Sequence, residues 1–324
     1  MASNNENNTS NINNVTNEYE KKLDIAEDKL NIFYFYVGQA DCILIALNGQ
    51  YMLIDAGNDT DGYHIAKFLK AQGITELDYL IGTHADADHI GGMDTILKQI
   101  YVHNLYIPLY NDTDGNQYNQ SLNALAYNSN NELKISTFKE DDKITFGDAT
   151  FDVLSARSIE SVSDINNTSI VLQLNYKEKK YLFTGDMEAE LENDFLDKDQ
   201  KDDFLSQIDI LKVSHHASNS GTTKEFLNEI SPKYAIISSG SNDSRFPDSR
   251  CLKSILSVID IENIYFNERD GTIWVISDGI SDDIIKEMNT INLDGAESEI
   301  NPYELNNEFL ESIREKYAFF FIKY

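Results

Sequence analysis

The chain alternates short apolar runs with segments whose apolar residues recur at helical spacing. Runs rich in Ile, Leu, Phe and Tyr, such as LNIFYFYVG from residue 30, indicate strands. Two such runs flank the Asn48-Gly49 pair, which is typical of a tight turn and predicts a hairpin. The segment GYHIAKFLKAQ that follows has helical spacing and predicts a helix ending near Gly73.

The same alternation continues to about residue 278. Strands are predicted at 77–84, 104–110, 208–216, 234–240 and 272–279, hairpins at 143–156 and 168–186, and helices at 93–100, 187–197, 222–230 and 251–259. A further helix flanked by loops is expected within 111–134. Hairpins and helices therefore run through two broadly similar halves, which favours a layered α/β architecture.

The two ends of the chain differ from this pattern. Residues 1–28 are Asn-rich and then charged, and we expect a disordered arm that leads into a short helix. Residues 29–280 are predicted to form the main domain, and the acidic extension 281–324 is expected to pack on it. The polar N-terminus lacks the apolar stretch of a secretory signal, and no apolar run reaches the length of a membrane span, so a cytoplasmic protein without a membrane partner is expected.

Charge narrows the choice of partners. The chain has 55 acidic and 26 basic residues and a formal charge of −29, which repels polyanions. A nucleic-acid partner stays possible but is disfavoured. Cys42 and Cys251 show no C-x-x-C spacing and are predicted to be buried thiols rather than metal ligands or a disulfide.

The stretch THADADHIGG, residues 83–92, carries the strongest chemical signal. Its four polar residues, His84, Asp86, Asp88 and His89, follow a predicted strand. In extended backbone the first two share a face, and the last two can converge beside them. A glycine pair then allows close backbone approach at the start of a helix. This spacing predicts two adjacent divalent metal sites, about 3.5–4 Å apart in two-metal hydrolases.

Two further motifs strengthen this hypothesis. His215 and His216 are adjacent and follow an apolar strand, and Asp186 ends the run LFTGD. Taken alone, a histidine pair is as often structural as functional, and a Gly-Asp turn is more often structural. Together with the first cluster they supply the remaining ligands that a two-metal site needs.

The residues His84-Ala-Asp86-Ala-Asp88-His89 resemble the H-x-[HD]-x-D-H signature of the metallo-β-lactamase superfamily. More specifically, the chain resembles the hydrolase domain of ComEC-type DNA-uptake proteins and their stand-alone relatives. It carries counterparts of that family's motifs in the same order: VGQAD from residue 37, LIDAG from 53, THADADHIGG, NTSIVLQL from 167, LFTGD and LKVSHHAS. The resemblance covers roughly residues 30–278 and implies an α/β fold, the four-layer αββα sandwich.

The resemblance implies a dinuclear hydrolase. Asp186 would bridge the two metals, and His216 is favoured over His215 as the last ligand. Asp88 and His215 would act in catalysis, and Asp55 would support the ligands from beneath. Asn167 and Arg245 are candidate substrate contacts. The implied metal ligands are His84, Asp86, Asp88, His89, Asp186 and His216.

The expected cofactors are two divalent ions, Zn²⁺ or Mn²⁺. Carboxylate-rich ligation favours Mn²⁺ or Mg²⁺ more than an all-histidine shell would, although Zn²⁺ competes strongly. A water between two such ions is deprotonated near neutral pH and can attack a phosphorus or carbonyl centre. His215 could then bind a phosphoryl oxygen or protonate the leaving group.

The expected activity is that of a phosphodiesterase or nuclease acting on a phosphodiester or another small ester. Two positions depart from the family's pattern, because Phe246 replaces a histidine before Pro247 and Ala217 replaces a glycine. Alternatives are hydrolysis of another ester or amide, such as a phosphorylcholine ester, a lactone or a β-lactam, and a non-catalytic binding module with a decayed site.

Overall fold

A computed structural model of the chain describes residues 22–108, 133–202, 207–240, 243, 245–288 and 293. The strands are β1 Leu30–Tyr34, β2 Ile43–Leu47, β3 Gln50–Ile54, β4 Glu76–Ile81, β5 Tyr101–Tyr106, β6 Lys134–Ser136, β7 Lys143–Phe146, β8 Ala149–Ser155, β9 Val171–Tyr176, β10 Lys179–Phe183, β11 Ile210–Lys212, β12 Tyr234–Ile237, β13 Ile264–Phe266, β14 Thr272–Ser277 and β15 Asp282–Met288. The helices are α1 Asp61–Gln72, α2 Ala87–Ile90, α3 Met93–Gln99, α4 Ala189–Asp202, α5 Lys224–Ile230, α6 Ser249–Leu256 and α7 Asn267–Asp270.

The strands form two mixed sheets. The first has the order β15-β14-β1-β2-β3-β4-β5-β6, and the second has the order β13-β12-β11-β10-β9-β8-β7. Each sheet is antiparallel in one part and parallel in the other, with β3 to β6 parallel in the first and β10 to β13 parallel in the second. Because parallel strands end at the same edge, the loops that follow them are brought together there.

Three apolar cores separate four layers. Strand β1 shows how, because Phe33 faces a core shared with α1 and α3 while its neighbours Ile32 and Tyr34 face the core between the sheets. A third core lies between the second sheet and α4, α5 and α6, where Leu191, Phe226 and Leu252 are buried. This is the predicted αββα sandwich.

Most predicted elements are present, including the hairpins and the helix that ends at Gly73, whose left-handed conformation terminates α1. Strand β5 begins at Tyr101 rather than Asn104, and the short strands β6, β13 and β15 were not predicted. Cys42 and Cys251 are buried free thiols, as expected. The helix predicted within 111–134 falls almost wholly outside the described residues.

Both ends of the predicted domain are longer in the structure. Residues 22–28 form no helix, and Leu23 and Ile25 pack against the first core. At the other end, β15 lies beyond residue 280 and pairs with β14 in the first sheet. Over the described residues, no helix combines the length and apolar character needed to cross a bilayer.

Candidate metal centre

The first group of polar side chains lies in the loop after β4. His84 and His89 are fully buried, whereas the side chain of Asp86 is 42% exposed, with its Oδ2 3.6 Å from His84 Nε2. Asp86 has extended backbone and precedes α2, so the strand turns into a helix within the motif, as predicted. A Cβ on Gly92 would come within 2.2 Å of the Ala56 carbonyl oxygen, so only glycine lets this turn pack on the loop after β3.

The second group comes from the loop after β10, which contains Asp186. The NTS motif holds this loop, because Asp186 N–H donates to Ser169 Oγ over 3.0 Å and Glu188 N–H donates to Asn167 Oδ1 over 3.0 Å. Asn167 also donates from Nδ2 to Glu190 Oε2 over 3.5 Å. The amide of Asn167, a predicted substrate contact, is therefore used to position the loop.

The third group is the His215–His216 turn after β11. His216 is 1% exposed, and its Nδ1 donates to the Ser238 carbonyl over 2.9 Å, which turns its Nε2 toward the other groups. His215 has a 20% exposed side chain, and its Nδ1 lies 3.1 Å from Ser220 Oγ. Both histidines and Ala217 adopt positive φ, a conformation that favours the glycine that the family motif led us to expect at position 217.

Asp186 lies at the centre of the three groups. Its Oδ1 is 3.3 Å from His89 Nε2, and its Oδ2 is 3.9 Å from His84 Nε2 and 3.6 Å from His216 Nε2. Asp88 Oδ2 completes the cluster, 3.2 Å from His216 Nε2 and 4.0 Å from His89 Nε2. The structure thus brings all six predicted ligands together.

These residues fit divalent metal ions. The buried Nε2 atoms of His84, His89 and His216 and the Oδ1 atom of Asp186 have no hydrogen-bond partner among the described residues. Leaving four such atoms unsatisfied would cost stability unless a cation binds them. Two triads, His84–His89–Asp186 and Asp88–His89–His216, each bring their ligand atoms within 4.8 Å of one another.

Without a metal, the cluster holds protons instead. Burial alone would lower the pKa of His89, but the carboxylates of Asp186 and Asp55 hold that pKa well above its usual value. The pKa of His216 is raised in the same way by Asp186, against the effect of burial. Burial would raise the pKa of Asp186, but His89 and His216 hold it well below its usual range.

Asp55 supports the cluster from beneath, at the position where the resemblance placed it. Its Oδ2 accepts from His89 Nδ1 over 2.8 Å, and its Oδ1 accepts from the Thr83 N–H over 2.8 Å. The bond to Nδ1 fixes the ring so that Nε2 faces Asp186, which is how carboxylates orient metal-binding histidines.

Arg245 and Phe246 lie beside the His215–His216 turn. The Phe246 ring centroid is 5.7 Å from that of His215 and 6.0 Å from that of His216, so an apolar ring borders the centre where the family motif led us to expect a histidine. Arg245 is exposed, and its Nε lies 3.0 Å from both carboxylate oxygens of Asp243. The predicted anion contact of Arg245 would require it to leave this partner.

Three residues of the centre received no role from the sequence. Asp41 and Lys212 form a buried ion pair beside His216, with Nζ 2.7 Å from Oδ2. Glu188 Oε1 lies 3.5 Å from His215 Nδ1. The available signals were weak: a lysine in the apolar strand DILKVS, and an aspartate that closes the VGQAD motif.

Comparison with known proteins identifies relatives that match more than half of the chain. The chain is 35% identical to "ComE operon protein 3" of Bacillus subtilis over 176 residues, which are 54% of this chain and 22% of that protein. It is 31% identical to "Recombination protein 2" of Haemophilus influenzae over 217 residues, which are 65% of this chain and 24% of that protein. The chain therefore spans about a quarter of the length of these curated relatives.

The fold itself recurs in a solved structure. The metallo-beta-lactamase fold protein YhfI from Bacillus subtilis superimposes with a TM-score of 0.52 at 14% identity, covering 77% of this chain and all of that one. The sequence model of the metallo-β-lactamase superfamily matches residues 35–241, which contain every residue of the cluster. As its motifs predicted, the chain belongs to the metallo-β-lactamase superfamily and is a relative of the ComEC-type competence proteins.

Proposed function

We propose that the chain is a metal-dependent phosphodiesterase with a dinuclear centre. The observation that carries this proposal is Asp186, which lies within reach of three buried imidazoles with unsatisfied Nε2 atoms. One subsite would comprise His84 and Asp86, and the other would comprise Asp88, His89 and His216. Asp186 would bridge the two subsites.

The metal ions and His215 would have different roles in catalysis. When bound, two divalent ions would activate a water and offset charge on the substrate oxygens. His215 remains available to the substrate, because its side chain is partly exposed and its Nε2 lies 3.8 Å from Asp186 Oδ2. It can donate a proton to a departing oxygen or bind a phosphoryl oxygen, while Ser220 holds its other ring nitrogen.

The charges around the centre favour a small substrate. Glu188 presents a partly exposed carboxylate at its rim, and the guanidinium of Arg245 is already paired with Asp243. Together with the net charge of −29, this rim would repel a long polyanion. A short phosphodiester brings one negative charge, which the metals can offset.

A second candidate is hydrolysis of a carboxylic ester, lactone or β-lactam. Phe246 supports it, because an apolar ring beside His215 and His216 offers a surface for an uncharged substrate. The mixed ligand set with Asp86 in place of a histidine favours the phosphodiesterase. A decayed binding module is disfavoured because all the expected ligands are present and converge.

The proposal is tested by turnover of bis(p-nitrophenyl) phosphate after chelator treatment and addition of Mn²⁺ or Zn²⁺. We expect metal-dependent turnover that Asp88→Asn lowers by about 10²-fold or more, because loss of a ligand should cost at least as much as loss of its support. Asp148→Asn, an exposed carboxylate in the β7–β8 turn, is the matched control and should leave turnover unchanged.

Two results would contradict the proposal. One is wild-type protein that contains metal yet shows no phosphodiester turnover with either ion. The other is Asp88→Asn with wild-type turnover. Faster turnover of nitrocefin or a lactone than of the phosphodiester would favour the second candidate.

A further inference from the structure

Lys212 is a fully buried lysine at the end of β11. Ile210, two residues earlier, faces the core between the sheets, so strand alternation directs the Lys212 side chain to the same side. There its Nζ lies 2.7 Å from Asp41 Oδ2 and donates to the Val213 carbonyl over 2.9 Å. A buried ammonium group is costly without a partner, so this pair requires an explanation.

Asp41 connects the segments that form the second subsite. Its N–H donates to the Asp88 carbonyl over 3.1 Å, and its carbonyl accepts from the Gly57 N–H over 2.9 Å. Its Oδ1 lies 3.7 Å from His216 Nδ1. The residue therefore contacts both the segment that carries Asp88 and the ring of His216.

The charge of the centre gives Lys212 a second role. The centre brings six carboxylates close together, so a cation beside them lowers their mutual repulsion. Lys212 supplies such a cation next to Asp41. The six carboxylates are those of Asp41, Asp55, Asp86, Asp88, Asp186 and Glu188.

We propose that Lys212 is a positioning residue for the second metal subsite, the one formed by Asp88, His89 and His216; this inference rests on the metal centre of the proposed function. Lys212 holds the Asp41 carboxylate in place and neutralises it, and Asp41 in turn holds the Asp88 segment beside His216. No hydrogen bond or ion pair joins the Lys212–Asp41 pair to His84 or Asp86 among the described residues. The effect of Lys212 is therefore confined to one of the two subsites.

The test is a calorimetric titration of metal-free protein with Mn²⁺, which measures how many ions bind and how tightly. We expect wild type to bind two ions and Lys212→Met to keep one at unchanged affinity, with the other weakened by about 10-fold or more. The matched control is Lys179→Met. Lys179 pairs with Asp209 over 2.8 Å in the same sheet, but at the opposite end of the parallel strands from the cluster.

A second variant keeps the test valid if Lys212→Met does not fold. The double substitution Asp41→Asn with Lys212→Met removes both charges together and leaves no buried unpaired ion, so circular dichroism should show a native fold. We expect it to retain the first ion and to bind the second more weakly than wild type does.

The proposal would be overturned if the folded single or double variant bound both ions as tightly as wild type. Equal weakening of both ions, or the same loss in Lys179→Met, would also overturn it by indicating a general structural effect. If wild type binds two ions but hydrolyses no phosphodiester, only the proposed function is contradicted. If wild type binds no Mn²⁺, both proposals are contradicted.

Discussion

At the scale of single residues, two adjacent histidines differ in their surroundings rather than in their chemistry. His216 is buried and fixed by the Ser238 carbonyl, with its Nε2 directed at Asp88 and Asp186. His215 is partly exposed, and its Nδ1 faces Ser220 and Glu188. The first arrangement suits a metal ligand, and the second suits a group that meets the substrate.

This difference predicts opposite results for one substitution made at the two positions. His216→Asn should lower the bound metal from two ions to about one. His215→Asn should keep both ions and lower kcat by about 10²-fold, within the range for loss of a proton donor. Elemental analysis of purified variants and steady-state kinetics would measure both. Loss of metal from His215→Asn but not from His216→Asn would exchange the two roles.

The ligand positions could be predicted from sequence because local spacing encodes them. His84 and Asp86 lie in the loop after β4, and Asp88 and His89 lie in α2 directly after it, so their convergence needs only local geometry. The orientation of His215 and His216 depends on Ser238 and Ser220, which belong to other segments. Lys212 and Asp41 are far apart in sequence, and nothing in the sequence around either residue indicates that the two are in contact.

At the scale of elements, hairpin strands with clear apolar alternation were predicted, whereas a very short strand and a polar strand were missed. Hairpins such as β2–β3 pair neighbouring segments and were predicted from alternation and turn residues. β13 is only three residues long, and β15 has the polar sequence DDIIKEM. β15 is held by β14 and by Asp282, whose Oδ1 accepts from Tyr181 Oη over 2.6 Å and whose Oδ2 lies 3.4 Å from Lys179 Nζ.

Asp282→Ala should therefore destabilise the whole sandwich. The side chain of Asp282 is 1% exposed, so its removal takes the buried acceptor from Tyr181 and one of two carboxylates from Lys179, which keeps Asp209. We expect a loss of about 2 kcal/mol in the free energy of unfolding, measured by urea denaturation. Its exposed neighbour Asp283→Ala is the control and should change stability by less than about 0.5 kcal/mol. Equal effects of the two substitutions would show that β15 is not anchored by this contact.

At the scale of the whole molecule, the cluster joins the two halves of the sandwich. His84, Asp86, Asp88 and His89 follow a strand of the first sheet, whereas Asp186 and His216 follow strands of the second. Because the proposed ligands come from both sheets, metal binding there would contribute to global stability. The alternation of strands and helices predicted a layered α/β architecture, and the resemblance to the metallo-β-lactamase superfamily implied the αββα sandwich.

The stability gained from metal should increase with pH. In metal-free protein the pKa values of His89 and His216 are raised by Asp186, so the folded state holds protons that the unfolded state releases above about pH 6.5. The stability of the metal-free protein should therefore fall as pH rises above that value, while metal, which displaces those protons, binds more tightly. We expect the difference in Tm between Mn²⁺-loaded and chelator-treated protein to grow between about pH 6 and pH 8. Metal at roughly 100 times its Kd would add about 2.7 kcal/mol to the free energy of unfolding. His216→Asn should show a smaller pH dependence, and a difference that stays flat or shrinks with pH would contradict this linkage.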